Sequence, residues 1–255
     1  MQSLIKLFLN IFSRGFLIRI SFFVKPLVKI LMYGNKYTDP IDGSTFRAFL
    51  PYGYNKIRNN VLSPSTYSLE RHRLLWLYLK NETSFFKAKL KVLHFAPESA
   101  LMNKFKKLKN LSYDTIDLNS PIADIKADIC DLPFLDNSYD FILCNHVLEH
   151  VYDDDKAMKE LYRILKKNGT AIIQVPINIK KDKTHEGRDI SDHKIRNEFF
   201  GQYDHLRMYG LDYFNKLKNI GFGVKNEDYL SMISKDEKDK YSLYNAGTIP
   251  VCVKV

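Results

Sequence analysis

Glycine is scarce, with 11 residues among 255, and none falls in a Gly-x-Gly-x-x-Gly run. That absence disfavours a nicotinamide or nucleotide-sugar enzyme, whose phosphates need such a loop. Cysteine is scarcer still: Cys130, Cys144 and Cys252 are odd in number and far apart. They make neither a disulfide framework nor a metal-ligand spacing, and read as buried thiols of a reducing cytoplasm. Long apolar runs are also missing. In the hydrophobic N-terminal part the longest charge-free run is residues 7–13, well short of the about 20 that a spanning helix needs. What is present suits a globular chain: 45% hydrophobic and 27% charged residues, with 17 Phe and 16 Tyr to fill a core. Disorder, collagen-like repeats and disulfide miniproteins are excluded.

Acid is absent from residues 1–36, which carry Lys6, Arg14, Arg19, Lys25, Lys29 and Lys36, so this stretch supplies six of the net +10 charges. The remaining chain is only mildly basic and gives little support to nucleic-acid binding. With no Ala-x-Ala-like cleavage site, the segment is not expected to be a secretory signal, and the chain is expected to keep it. On a helical wheel it is imperfectly amphipathic, and Pro26 divides it into two short helices. Two readings stay open. One is a peripheral anchor on the anionic inner face of a membrane; the other is a helix packed on the domain or on a second subunit.

Residues 37–68 read as short strands and turns, and residues 69–79 as a strongly apolar helix with Ser68 as its N-cap. From residue 90 strand and helix alternate. Strands are expected at 90–95, 113–118, 122–129, 139–145 and 170–176, with helices near 100–108, at 153–167 closed by Gly169, and at 209–220 closed by Gly221. A final antiparallel pair spans 222–230 and 247–255. This pattern predicts an α/β fold with a doubly wound, Rossmann-like sheet and a ligand crevice at the carboxyl ends of its strands. Asp117, at the end of the second strand, is placed to accept hydrogen bonds from two ribose hydroxyls. Asp128 and Ile129 follow the third strand, and Asn145 and His146 end the fourth.

The run ADICDLPFLDNSYDFILCNHVLEHV, followed by MKELYRILKKNG and IIQVP, resembles class I S-adenosylmethionine-dependent methyltransferases, closest to the ubiquinone/menaquinone-biosynthesis methylases. The resemblance covers residues 88–176 and extends through QYDHLRMYGLDYFNKLKNIGF. It implies a seven-stranded methyltransferase sheet over residues 81–255 and S-adenosylmethionine as cofactor. By that likeness Phe95, Ala96, Glu98, Asp117, Leu118, Asp128, Ile129, Asn145 and His146 hold the cofactor. The family's acid-x-Gly-x-Gly loop is here His94-Phe95-Ala96-Pro97-Glu98. Its lack of glycine leaves open a catalytically idle, methyltransferase-like binding protein, although a related subgroup has a similar His-Phe-Ala-Pro-Glu loop.

That subgroup resemblance also implies a small four-cysteine zinc ribbon over residues 37–80. The corresponding runs are Asp39-Pro40-Ile41-Asp42-Gly43 and Ser63-Pro64-Ser65-Thr66. With all four thiolates gone, the expectation is the ribbon's shape without metal, held by Phe46, Phe49, Tyr52 and Tyr54, and no metal elsewhere. Arg71 or His72 is expected at the cofactor mouth. Residues 177–208 form an insertion of the kind that covers an acceptor pocket. Within it His205 is the preferred general base, with His146 its competitor, while Arg207 and the adjoining Tyr209 are candidates to hold the acceptor. A small-molecule, glycan or lipid-linked acceptor would suit such a pocket.

Overall fold

The computed structural model describes residues 24, 26–53 and 57–255. Most of the basic N-terminal segment, and Tyr54, lie outside the described residues. Strands β1 (Tyr33–Thr38) and β2 (Thr45–Phe46) pair as one small antiparallel sheet, and β3 (Leu50–Tyr52) and β4 (Arg58–Leu62) as another. Helix α1 (Glu70–Asn81) follows. Then come β5 (Leu90–Phe95), α2 (Ser99–Phe105), β6 (Leu111–Asp117), β7 (Ile125–Lys126), β8 (Tyr139–Asn145), α3 (Asp154–Ile164) and β9 (Leu165–Gln174). The 177–208 connection holds β10 (His185–Glu186), α4 (His193–Phe200) and β11 (Arg207–Met208). The chain ends with α5 (Tyr213–Ile220), β12 (Phe222–Glu227), α6 (Tyr229–Met232), α7 (Lys235–Tyr241) and β13 (Ile249–Lys254).

Seven strands form the central sheet in the order β12-β13-β9-β8-β5-β6-β7. The middle strands β9, β8, β5, β6 and β7 are parallel, and β13 alone runs antiparallel to its neighbours β9 and β12. Alternation along each strand feeds two cores. On β8, Ile142 and Cys144 join the cluster built on Leu161, Tyr213 and Leu217, while Phe141 and Leu143 join the cluster built on Leu75, Leu101 and Phe105. Helices therefore cover both faces, as a sheet buried on both sides requires. The strand order reverses between β5 and β8, which puts the ligand crevice at their carboxyl ends.

Several boundaries differ from expectation. Helix α3 stops at Ile164, and Gly169 is not its cap: β9 starts at once, and its register against β8 shifts between Tyr139 and Phe141. Gly169 sits in this extra turn, where a Cβ would come within 2.8 Å of the Lys166 carbonyl oxygen. Ser68 does not cap α1. Its Oγ donates to Asp39 Oδ2 at 3.1 Å, and the backbone N–H of Leu69 is taken by His72 Nδ1 at 3.2 Å. The third strand is only two residues, β7. Gly221 does close α5, in the left-handed region at φ +118°. Of the thiols, Cys144 and Cys252 are buried, whereas Cys130 is half-buried.

The four positions where the family resemblance sets cysteines lie together as an oxygen network. Asp39 is fully buried and accepts from Thr66 Oγ1; Asp42 accepts from Ser65 Oγ at 3.2 Å, and Ser65 Oγ lies 3.1 Å from Ser63 Oγ. Phe46 and Phe49 are buried beneath it, and the guanidinium of Arg73 sits 4.7 Å over the Phe49 ring. Tyr52 is exposed. Among the described residues no helix is long and apolar enough to cross a membrane.

Candidate active site

The turn after β5 closes without glycine because Ala96 takes the left-handed conformation, at φ +45°. Where the resembled family pattern sets an acid, this chain has His94, and a carboxylate stands four residues on at Glu98. The two are bonded: His94 Nε2 lies 2.8 Å from Glu98 Oε2. On its other side His94 Nδ1 is 2.7 Å from the Tyr113 hydroxyl. An anionic Glu98 makes Nε2 the donor, so Nδ1 takes the Tyr113 proton. Burial alone would raise the Glu98 carboxyl, but the hydrogen bond from His94, with the neighbouring His72 and Arg71, brings it down to about 2. Burial pushes the Tyr113 hydroxyl up, assisted by Glu98 and Asp124. His72 approaches from α1 with Nε2 3.7 Å from Glu98 Oε1. Burial, with Arg71 beside it, lowers His72 to about 3, so its ring is neutral.

Farther along the same edge, Asp117 ends β6. Its Oδ1 accepts the backbone N–H groups of Asn119 at 2.7 Å and Ser120 at 2.6 Å, which fixes the carboxylate in a local turn and leaves Oδ2 for a ligand. Leu118 beside it is exposed. Asp128 is exposed, with Oδ1 holding the Cys130 N–H at 2.8 Å, while Ile129 is buried. At the end of β8, Asn145 is only 3% exposed. Neither its Oδ1 nor its Nδ2 has a hydrogen-bond partner, and the same holds for Arg71 Nε, His72 Nε2 and Glu149 Oε2. Buried polar atoms are satisfied in the great majority of cases, so a cluster of unsatisfied ones at a strand-order reversal makes this edge the candidate ligand site.

His146 follows in the left-handed region at φ +54°, and its Nδ1 is 3.1 Å from Glu149 Oε1. Both His146 and Arg71 line a cavity of about 500 Å³ at the carboxyl ends of β8, β9 and β12. Apolar walls come from Val175, Ile177, Leu211 and Phe214. A space of this size is ordinary for a small-molecule ligand.

Residues 87–173 match the family model of the methyltransferase domain. An uncharacterized protein of Methanocaldococcus jannaschii is 44% identical over 71 residues, 28% of this chain and 30% of that one. The ubiquinone/menaquinone biosynthesis C-methyltransferase UbiE of Rickettsia typhi is 42% identical over 67 residues, 26% of this chain and 27% of that one. Each match thus spans less than a third of the curated relative's length. A solved S-adenosylmethionine-dependent methyltransferase from Archaeoglobus fulgidus is 15% identical, covering 71% of this chain and 93% of that one with a TM-score of 0.44.

The methyltransferase-domain match contains the whole strand-end row of Phe95, Ala96, Glu98, Asp117, Leu118, Asp128, Ile129, Asn145 and His146, and the sheet brings these to one edge. It does not bring Arg207 and Tyr209 to the cavity, and here the sequence expectation is corrected. Arg207 is fully buried and donates to the backbone oxygens of Leu148 at 2.8 Å, Val151 at 2.5 Å and Tyr152 at 3.0 Å. Tyr209 is fully buried too, and its hydroxyl donates to Asp154 Oδ2 at 2.8 Å. Both side chains are consumed in tying the 177–208 connection to the turn after β8. His205 is nearly as buried, with Nδ1 2.9 Å from the Phe200 carbonyl oxygen, and it does not line the cavity either. Of the insertion itself, only Ile177 and Ile179 line the cavity. Two residues at the site were not singled out by the sequence: Gln174, which lines the cavity, and Glu149, which faces His146 and whose spacing of three from His146 was the available signal.

Proposed function

We propose that the chain is an S-adenosylmethionine-dependent methyltransferase acting on a small-molecule acceptor. One observation carries the reading: unsatisfied buried polar atoms of Asn145, His72 and Arg71 gather at the carboxyl ends of the strands where the strand order reverses, the edge that also carries Asp117, and Asn145 and Asp117 fall in the stretch that matches the methyltransferase domain. When bound, the cofactor supplies an electrophilic methyl group on a sulfonium. Asp117 Oδ2 would accept the ribose hydroxyls, and Asp128 with Ile129 and Leu118 would hold the adenine. Phe95, Ala96 and Glu98 would face the methionine end, with Asn145 filling its two vacant hydrogen-bond positions beside it. The quinone methyltransferase among the relatives supports a small acceptor, and the half-apolar cavity has room for one.

Transfer needs alignment above all. The acceptor would enter the cavity with its nucleophile toward the strand ends. In the proposal His146, rather than His205, takes the proton of a hydroxyl acceptor: Glu149 holds Nδ1, which leaves Nε2 to receive it. Arg71 would orient an oxygen of the acceptor. The test is calorimetric titration with S-adenosylhomocysteine. Asp117→Ala should weaken binding more than about tenfold, since hydrogen bonds to a charged group contribute about 1.5–3 kcal/mol. Unchanged affinity would remove the site from Asp117.

The basic segment is proposed as a membrane-surface contact. Its described end supports this: Leu27, Ile30 and Leu31 are exposed at 58%, 73% and 60%, an apolar edge next to Lys29. The proposed place of action is the cytoplasmic side.

A further inference from the structure

Two imidazoles, and the second oxygen of a carboxylate, meet between the turn after β8 and the 177–208 connection. Glu149, His150 and His205 each offer one donor atom, and these lie within 4.8 Å of one another. Glu149 is 1% exposed; its Oε1 faces His146, and its Oε2 is buried with no hydrogen-bond partner. The Nδ1 atoms of both rings are turned to backbone oxygens, His205 to Phe200 at 2.9 Å and His150 to Asp204 at 3.3 Å. The Asp204 carboxylate stands behind the latter, with Oδ2 3.5 Å from His150 Nδ1. A carbonyl oxygen only accepts, so each Nδ1 carries a proton and each Nε2 keeps its lone pair. The two rings meet edge to face with centroids 4.8 Å apart.

We propose that Glu149 Oε2, His150 Nε2 and His205 Nε2 bind a divalent first-row transition cation, with zinc as the reference probe. Three features of the cluster point the same way. The donor set of two imidazoles and one carboxylate is one that such ions take, with a position left open. The outer ring nitrogens already donate to carbonyl or carboxylate oxygens, the arrangement that orients metal-bound histidines. The Glu149 Oε2 atom is a buried carboxylate oxygen with no hydrogen-bond partner among the described residues. Zinc–nitrogen bonds of about 2.0–2.1 Å imply a donor spacing of roughly 3.3 Å, so binding draws the donors together. His150 can move, since a third of its side chain is exposed.

The ion would fasten two segments that the backbone already registers through the Leu206 N–H to Glu149 carbonyl bond of 2.8 Å. It would thereby lock the connection against the turn that carries His146. This site stands on its own cluster and does not rest on the methyl-transfer reading.

The experiment uses full-length protein made without a polyhistidine tag, stripped with chelator and then dialysed against zinc. Expected are about one equivalent of zinc by elemental analysis, a melting temperature raised by the ion, and slower proteolysis within residues 177–208. Cobalt should give visible absorption bands at one equivalent. His150→Asn and His205→Gln should each weaken zinc binding by about tenfold or more, whereas Asp42→Asn, in the oxygen network near β1, should leave it intact. Folded protein that takes up less than about a tenth of an equivalent overturns the proposal. So does zinc retained by His150→Asn, a substitution at a partly exposed side chain that leaves the fold in place, or zinc lost in Asp42→Asn.

Discussion

At Ala96 the backbone holds a non-glycine residue at φ +45°, a conformation that costs an L-residue about 1–2 kcal/mol. Ala96→Gly removes that strain and adds about 0.5–1 kcal/mol of unfolded-state freedom. The net expectation is a stabilisation of about 0.5–1 kcal/mol, read from the urea midpoint, and a loss of stability would show that the turn is not strained. His72 offers a pH test. Its folded pKa of about 3 lies below the ordinary value of 6.5, so between those values the unfolded chain binds a proton that the folded chain refuses. Stability is therefore full above about pH 6.5 and falls as the pH drops through that window; Glu98, held near 2, adds a loss of the same sign below its ordinary 4.5. His72→Gln should flatten the decline between about pH 7 and pH 5, because glutamine can keep the bond to the Leu69 N–H at the start of α1 but does not titrate. A slope unchanged by the substitution would assign the pH dependence to other groups. Such a role for His72 was not legible in the sequence, since the charges in the run Glu70-Arg71-His72-Arg73 face all around a helix. Only packing decides that Arg73 and His72 point inward.

Among the elements, strands with a continuous apolar run were legible to the residue: β5 and β8 fall where the sequence sets them. Glycine was a poorer guide. After α5 it marks a helix end, whereas after α3 the chain passes straight into β9 and Gly169 relieves a crowded turn within the strand. The connection after β9 was the least legible element, because a row of Arg, His, Asp and Tyr residues reads equally as a binding surface or as an internal clamp. Burial decides for the clamp at Arg207. Its guanidinium satisfies three backbone oxygens and lies against Glu186 and Asp154, with Nε 3.1 Å from Glu186 Oε2. Arg207→Met should therefore lower stability by about 3–5 kcal/mol, the range for removing one partner of a buried ionic group, while a folded fraction should still bind S-adenosylhomocysteine through Asp117. Near-normal stability with abolished acceptor turnover would instead return Arg207 to the acceptor pocket.

For the molecule as a whole, acids stand at the strand ends and cations without acids in the N-terminal segment, and the proposed function gives the two groups different tasks. The sheet order places Asp117, Asp128 and Glu98 along one edge, where in the proposed reading they serve a cofactor rather than a membrane. The segment before β1 holds Lys6, Arg14, Arg19, Lys25 and Lys29 with no acid. The boundary between the two is sharp, because Met32 already accepts a hydrogen bond from the Arg47 N–H at 2.9 Å and β1 begins at Tyr33. A deletion that ends at residue 30 therefore spares the first small sheet. If the segment rests on a lipid surface, full-length protein should bind vesicles containing anionic lipid, bind neutral vesicles less, and release partly in high salt, where screening shortens the reach of each charge. Each cation near the surface contributes about 1 kcal/mol, so losing five should weaken binding by about a thousandfold or more while cofactor affinity stays unchanged. Equal sedimentation of the full-length and shortened chains with anionic vesicles would exclude the anchor. A shortened chain that changes oligomeric state instead would assign Leu27, Ile30 and Leu31 to a contact between copies of this protein, with the cations at its rim.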